Sequence, residues 1–302
     1  MNIFCMKKGT PMKYKIVSDS SSNHYTMDGQ PYESVPMKIV AQKEYVDVQG
    51  LDVAAMTEDL KHHKGKSGSS CPNVGEWLEA FGDADVVFGI TISRKLSGSY
   101  NAACHAARDY MQEHPGRKVY ILDSKSAGSA MAMFAEKTLG LLREGMEHAA
   151  VWEALKEYQN HVHTLFCLES LTNLARNGRT SPAVAKLAGV LGIRVCGEAQ
   201  DGEIAVVAKP RGAKKATAAM EKLILERGLH EGSTVRISHC LNPQGAAELR
   251  DALLAKVSGL RCIIEPCTAL CSFYAEQGGL IVGFEGSFNH VNSNLHDTQL
   301  CD

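Results

Sequence analysis

Asp85-Val86-Val87-Phe88-Gly89-Ile90-Thr91-Ile92 is a nearly unbroken apolar run of strand length. Such a run suits a strand covered on both faces, because no alternate position is left for water. Its surroundings extend that reading. Tyr14 to Ser18 and Lys118 to Leu122 are two further short apolar runs, while Val35 to Val40 and Glu44 to Val46 form a small β excursion. Helical spacing covers Val53 to His63, Val74 to Phe81, Ser97 to Glu113, Met131 to Glu144 and His148 to Asn160. Strands alternating with helices of this length predict a parallel sheet with helices on both sides. Gly65-Lys66-Ser67-Gly68-Ser69-Ser70 reads as a glycine- and serine-rich loop between two helices.

The texture changes near residue 160. Thr164 to Leu168 is a strand, followed by helices at Leu171 to Arg176 and Pro182 to Leu191, with Pro182 suited to a first helical turn. Arg194 to Ala199 and Glu203 to Ala208 flank Gln200-Asp201-Gly202, and an Asp-Gly turn between β runs predicts a hairpin. Helices at Ala213 to Arg227 and Pro243 to Lys256, with strands at Thr234 to Ser238, Arg261 to Ile264 and Leu280 to Phe284, complete a mixed sheet. The expected fold class is α/β in two domains. A three-layer α/β/α parallel-sheet domain spans residues 13–160, a two-layer α/β domain with a mixed sheet spans 161–288, and a loose tail covers 289–302.

The 302 residues carry a formal net charge of -2, with 44% hydrophobic and 22% charged residues. That balance draws in neither nucleic acid nor an anionic membrane surface. No apolar run approaches the roughly 20 residues that span a bilayer, so transient membrane contact is the expected limit. The first dozen residues hold no apolar segment of the secretory kind. The ten cysteines are scattered and need not pair, which fits a reducing, cytoplasmic setting.

Ligands of open parallel sheets bind beyond the carboxyl ends of the strands. Here those ends deliver hydroxyls: Asp19-Ser20-Ser21-Ser22, then Ser93 to Ser99, then Asp123-Ser124-Lys125-Ser126. Ser69-Ser70 adds a fourth cluster. Ser97-Gly98-Ser99, at a helix start, combines a hydroxyl, close backbone access and unpaired amides, which together suit a carboxylate or phosphate. Simple helix capping by Ser97 is the competing reading. Arg176 and Arg179, around an Asn-Gly turn, form a candidate anion clamp, with ordinary surface arginines as the alternative. Lys209 to Lys215, including Arg211 and Lys214, is a small basic cluster that could dock a partner or simply be a solvated helix start.

Other patterns fail on spacing. Gly65-Lys66-Ser67 resembles the end of a phosphate loop, but Leu60 stands where that loop needs glycine. Dinucleotide-binding glycines and a nucleophile elbow are absent from the sequence. Cys267 with Cys271, His239-Cys240 and His62-His63 lack the paired spacing of a zinc site, so no metal is expected.

Taken in order, these segments resemble the DegV family of bacterial fatty-acid-binding proteins, from about Lys15 to Phe284. Ile16 to Ser22 is similar to the family's I-V-T-D-S-T-S, Ser69-Ser70-Cys71-Pro72 to T-S-Q-P, and Leu96-Ser97-Gly98-Ser99-Tyr100 to L-S-G-T-Y. Val119 to Ser126 resembles V-x-V-x-D-S-x-S, Asn177 to Ser181 resembles G-G-R-I-S, and Gly278 to Phe284 the closing G-A-L-G-x-A-F. The resemblance implies a long-chain fatty acid held in a buried apolar tunnel near the domain junction, with no cofactor and no catalysis by the chain itself. It also implies a separate ATP-dependent kinase as partner, to which the acid is presented for acyl-phosphate formation.

Carried over, Ser69, Ser97, Gly98 and Arg179 would surround the carboxylate, with Ser20, Ser70, Ser124, Ser126 and Arg176 as further head-group or tunnel candidates. Tyr274 stands where the family has a histidine beside the head group, Cys71 replaces glutamine and Ser69 replaces threonine. A phenol still donates a hydrogen bond. Ala127 to Phe134, with Met131 and Met133, and Val184 to Leu191 could supply tunnel walls, and ordinary core packing explains them equally well. The alternative is an enzyme or binding protein for a small polar substrate, related to the substrate domains of dihydroxyacetone kinase. Covalent attachment there uses a histidine, and none falls within the matched hydroxyl motifs.

Overall fold

A computed structural model describes residues 12–188 and 192–287. The elements in chain order are β1 (Tyr14–Asp19), β2 (Tyr32–Val35), β3 (Lys38–Val40), β4 (Glu44–Val46), α1 (Val53–His62), β5 (Gly68–Ser70), α2 (Val74–Phe81), β6 (Val86–Thr91), α3 (Ser99–Glu113), β7 (Lys118–Asp123), α4 (Ser129–Arg143) and α5 (His148–Tyr158). There follow β8 (Val162–Leu168), α6 (Thr172–Arg176), α7 (Pro182–Ala188), β9 (Val195–Gln200), β10 (Glu203–Ala208), α8 (Ala213–Glu226), β11 (Thr234–His239), α9 (Pro243–Leu254), β12 (Arg261–Pro266), α10 (Ala269–Ala275) and β13 (Leu280–Glu285). The expected tail at 289–302 and the last turn of the helix expected over 182–191 lie outside the described residues.

The first sheet runs β2-β1-β6-β7 and every pairing in it is parallel. All six residues of β6 are buried, as the apolar run demanded. Alternate side chains separate to the two faces. Phe88 and Ile90 join Met131, Phe134 and Trp152 on one side, and Val87 joins Trp77, Phe81 and Ala103 on the other. Helices α2 and α3 thus cover one face, and α4 and α5 the other.

The second sheet, β10-β9-β8-β13-β11-β12, is mixed, with a parallel pair only between β11 and β12. Helices α8 and α9 cover one face through Met220, Ile224, Leu249 and Leu253. The opposite face meets α4. A Cβ on Gly283 of β13 would fall 2.5 Å from the Ala130 backbone nitrogen, so the absence of a side chain lets helix and strand touch. Helix α4 is apolar nearly all round, from Ala130 to Ala135, as a helix sandwiched between two sheets must be.

Three expectations need correction. The stretch 35–40 is not one strand: it breaks at Pro36, β2 joins the parallel sheet, and β3 starts a separate antiparallel sheet. Proline lacks the N–H that a continuous ladder needs. The glycine- and serine-rich loop contains β5, which completes that small β4-β3-β5 sheet by pairing Ser69 with Ile39. Finally, α10 was not anticipated from its sequence, which carries no side-chain cap of its own.

Candidate functional site

Between the two sheets lies a cavity of about 850 Å³ of atom-free space, its mouth included. Its walls are mainly apolar, with Ile92, Leu96, Phe166, Leu168, Leu174 and Ile281 among them. Ser69, Ser97, Arg179 and Tyr274 line the same space, so four residues drawn from four distant segments meet there.

Each is held by its own piece of backbone. Ser69 sits in β5 and its hydroxyl lies 2.7 Å from the Tyr274 hydroxyl. Tyr274 lies in α10, and the Arg179 guanidinium stands 5.8 Å from the centre of its ring, in cation–π range. Arg179 Nε donates to the Leu96 carbonyl at 3.1 Å, which ties the arginine to the Ser97 segment. It also donates to the Asn177 carbonyl, and three of its five N–H donors remain for a ligand.

Helix α3 begins at Ser99 with Gly98 as its cap residue and no side-chain cap bond. Ser97 accepts from the Ser99 amide at 3.2 Å and keeps its own hydroxyl hydrogen. Gly98 has ordinary right-handed backbone angles. Its glycine identity fits a close approach instead, since a Cβ there would come 3.3 Å from Cys71 Sγ. The Ser69-Ser70-Cys71 and Leu96-Ser97-Gly98 segments therefore run side by side.

Two buried carboxylates fix these segments, and neither stood out in the sequence. Asp19, at the end of β1, accepts from Ser99 Oγ at 2.7 Å, from the Ile92 amide at 3.0 Å and from Ser21. It thereby anchors the start of α3. Asp47 accepts from the Ala269 and Leu270 amides at 2.9 and 3.1 Å and so caps α10, the helix that carries Tyr274. Ser20 donates to Asp47 at 2.8 Å, and Tyr25 at 2.7 Å. Burial pushes both carboxyls above their ordinary range, against the pull of these donors. In the sequence Asp19 showed only as the residue directly after a strand and as the acid of the I-V-T-D-S-T-S resemblance; Asp47 gave no hint.

The remaining candidates scatter. Ser126 lines the cavity and its hydroxyl bonds Thr164. Ser20 is buried and serves Asp47 and the Met37 amide. Ser124 closes a local turn with Ser126, and Ser70 and Arg176 are exposed and do not line the cavity. Of the stretch from Ala127 to Phe134, Ala127 alone lines the cavity, while Met131 and Met133 are core residues of α4. Arg211 and Lys214 are exposed at the start of α8. Among the described residues no cluster of three or more metal-ligating side chains occurs, and no helix is long and apolar enough to cross a membrane.

The tip of the β9–β10 hairpin closes one wall. Ser93 Oγ donates to the Gly202 carbonyl at 2.7 Å, and Lys125 pairs with Asp201 at 2.7 Å. Lys95 pairs with Glu203 at 3.3 Å. Gly202 holds a positive φ of 83°, and a Cβ on it would fall 2.5 Å from Ser93 Oγ. Glycine is required there twice over.

Comparison with known proteins now bears on this arrangement. The family described as "Uncharacterised protein, DegV family" matches residues 13–285. The chain belongs to the DegV family. A DegV domain-containing protein of Streptococcus gordonii is 33% identical over 280 residues, covering 91% of this chain and 99% of that one. Among solved structures, a DegV family protein from Eubacterium eligens loaded with heptadecanoic acid is 36% identical, with a TM-score of 0.88 over 90% of this chain and 99% of its own. The Streptococcus pneumoniae Fatty Acid Kinase (Fak) B3 protein, loaded with linoleic acid, is 33% identical, with a TM-score of 0.88 over 91% and 99%. The parallel and mixed sheets are those of DegV structures.

Proposed function

We propose that this protein is a carrier subunit that binds one long-chain fatty acid, with its carboxylate at Ser69, Ser97, Arg179 and Tyr274 and its chain in the apolar cavity. The observation that carries the reading is the convergence of those four polar groups at one rim of a mainly apolar space. One cation and three hydroxyls match a monoanionic head group. Each buried methylene adds roughly 0.8 kcal/mol, so a long tail supplies most of the affinity. Relatives that carry heptadecanoic and linoleic acid support the ligand class.

In this reading the chain needs no cofactor and performs no catalysis. It presents the acid to a separate ATP-dependent kinase that phosphorylates the carboxylate, as the Fak context of one relative suggests. The exposed Arg211 and Lys214 are assigned to kinase docking. We divide the two α/β units near residue 160, as domains over 13–160 and 161–288. Solvent extraction and mass spectrometry of natively purified protein test the ligand: a stoichiometric fatty acid is expected. Finding none, with no uptake of added C14 to C18 acids, overturns the proposal.

A further inference from the structure

The cavity wall carries a second polar feature away from the head-group rim. Ser126, in the segment after β7, and Thr164, in β8, both line the cavity and hydrogen-bond each other through their hydroxyls. Both are buried. Two hydroxyls hold two O–H donors and four acceptor lone pairs, and their mutual bond uses one of each. The leftover hydrogen has no better acceptor than the Ala127 carbonyl, 3.5 Å from Ser126 Oγ, at the limit of a useful bond. The wall nearby is apolar, with Ala127, Phe166 and Ile204 lining the same space. Unsatisfied hydroxyl capacity inside such a wall is unfavourable unless a ligand meets it.

The depth of this pair follows from β8. Thr164, Phe166 and Leu168 all line the cavity, and alternate residues of a strand share one face, so the cavity runs along the strand. Leu168 marks the head-group end, since β8 runs from it into α6, where Asn173 donates to the carbonyl of Phe273, the neighbour of Tyr274, at 2.8 Å. Thr164 lies four residues back, or about 13 Å at roughly 3.3 Å per residue. An extended hydrocarbon advances about 1.3 Å per carbon, given bonds near 1.5 Å, so roughly ten carbons span that distance.

We infer that the preferred ligand is a long-chain fatty acid bearing a hydroxyl near the middle of its chain, and that Ser126 and Thr164 are the residues that select it. The inference rests on the fatty-acid reading above and names the subclass. A secondary alcohol at that depth accepts the leftover hydroxyl hydrogen and donates its own to a free lone pair of the pair. A plain methylene does neither.

The test uses delipidated full-length protein and competition with a fluorescent acyl probe. Octadecanoic acid is compared with 10-hydroxy- and 12-hydroxyoctadecanoic acid, in the wild type and in the double variant Ser126→Ala with Thr164→Val. The wild type is expected to bind one of the hydroxy acids at least tenfold more tightly than octadecanoic acid. The double variant is expected to lose that ratio. Thr164→Val alone, nearly isosteric, reads the same ratio if the double variant fails to fold, and Thr164→Ser retains it. Tight binding of octadecanoic acid without a preference for either hydroxy acid overturns this inference and leaves the carrier reading intact. A preference that survives the double variant, or Thr164→Val in its place, overturns it as well. Failure to bind any of the three acids overturns the carrier reading and this inference with it.

Discussion

The hydroxyls of Ser69 and Tyr274 lie 2.7 Å apart although 205 positions separate them in the chain. The contact joins the small antiparallel sheet, through β5, to α10. Ile39 and Tyr45 of that sheet pack with Ala269 and Phe273 of α10 in one buried cluster. The rim proposed for the head group is therefore assembled by packing within the chain itself, and such preorganisation lowers the ordering cost of binding.

Replacing Tyr274 with Phe removes the phenol but keeps the ring beneath Arg179. Fatty-acid affinity is expected to fall by roughly 1–3 kcal/mol, the scale of a hydrogen bond to a charged group. Displacement of a fluorescent acyl probe measures the loss, and a thermal melt should be nearly unchanged.

Ser97→Ala separates head-group binding from helix capping. Gly98 is the cap residue of α3, so stability is expected to fall only by the roughly 0.5–1.5 kcal/mol of the Ser99 amide bond, while affinity drops by roughly 1–3 kcal/mol. Ser20→Ala should behave in the opposite way, because that hydroxyl serves buried Asp47. Paired urea titrations and binding curves distinguish the two serines.

Gly283→Ala places a methyl group 2.5 Å from the Ala130 nitrogen and 2.7 Å from its Cα. Both are backbone atoms of α4, so no side chain can swing away. Overpacking of this kind costs about 1–3 kcal/mol, and the urea midpoint should fall accordingly.

Glu265 predicts the acid limit of the fold. Burial works to raise its carboxyl, but the hydrogen bond with His24 and the charge of Arg236 outweigh it and hold the group below its ordinary 4.5. A carboxyl depressed in the folded state stabilises fully above its unfolded value, and that contribution is lost as pH falls through the folded one. The Glu265 share of the urea midpoint should therefore decline below about pH 4.5, where the unfolded chain binds the proton first, while the raised carboxyls of Asp19 and Asp47 act with the opposite sign. Glu265→Gln should flatten that part of the curve.

The parallel sheet was legible because β6 must be apolar on both faces and its neighbours carry the same mark. The strand-end rule also pointed to Ser97 and Ser126, both of which line the cavity. It could not say which hydroxyls line the cavity and which bond within the protein. Ser20 and Ser99 turn inward because Asp47 and Asp19 are buried beside them, and a buried carboxylate takes every donor within reach. The strand β5 was hidden because Gly-Ser-Ser has little strand propensity of its own and pairs only because Ile39 lies opposite. Helix α10 was hidden for a related reason: its cap is Asp47, some 222 positions away.

Helix α4 lies between two sheets and is shared by both, so a hinge motion between them would strip it from one and expose Ala130 to Ala135 to water. The β9–β10 tip is fastened by Lys125 to Asp201 and by Lys95 to Glu203, contacts that weaken with ionic strength. That edge of the cavity wall is therefore salt-sensitive, with the Ser93–Gly202 hydrogen bond as the contact that salt leaves in place.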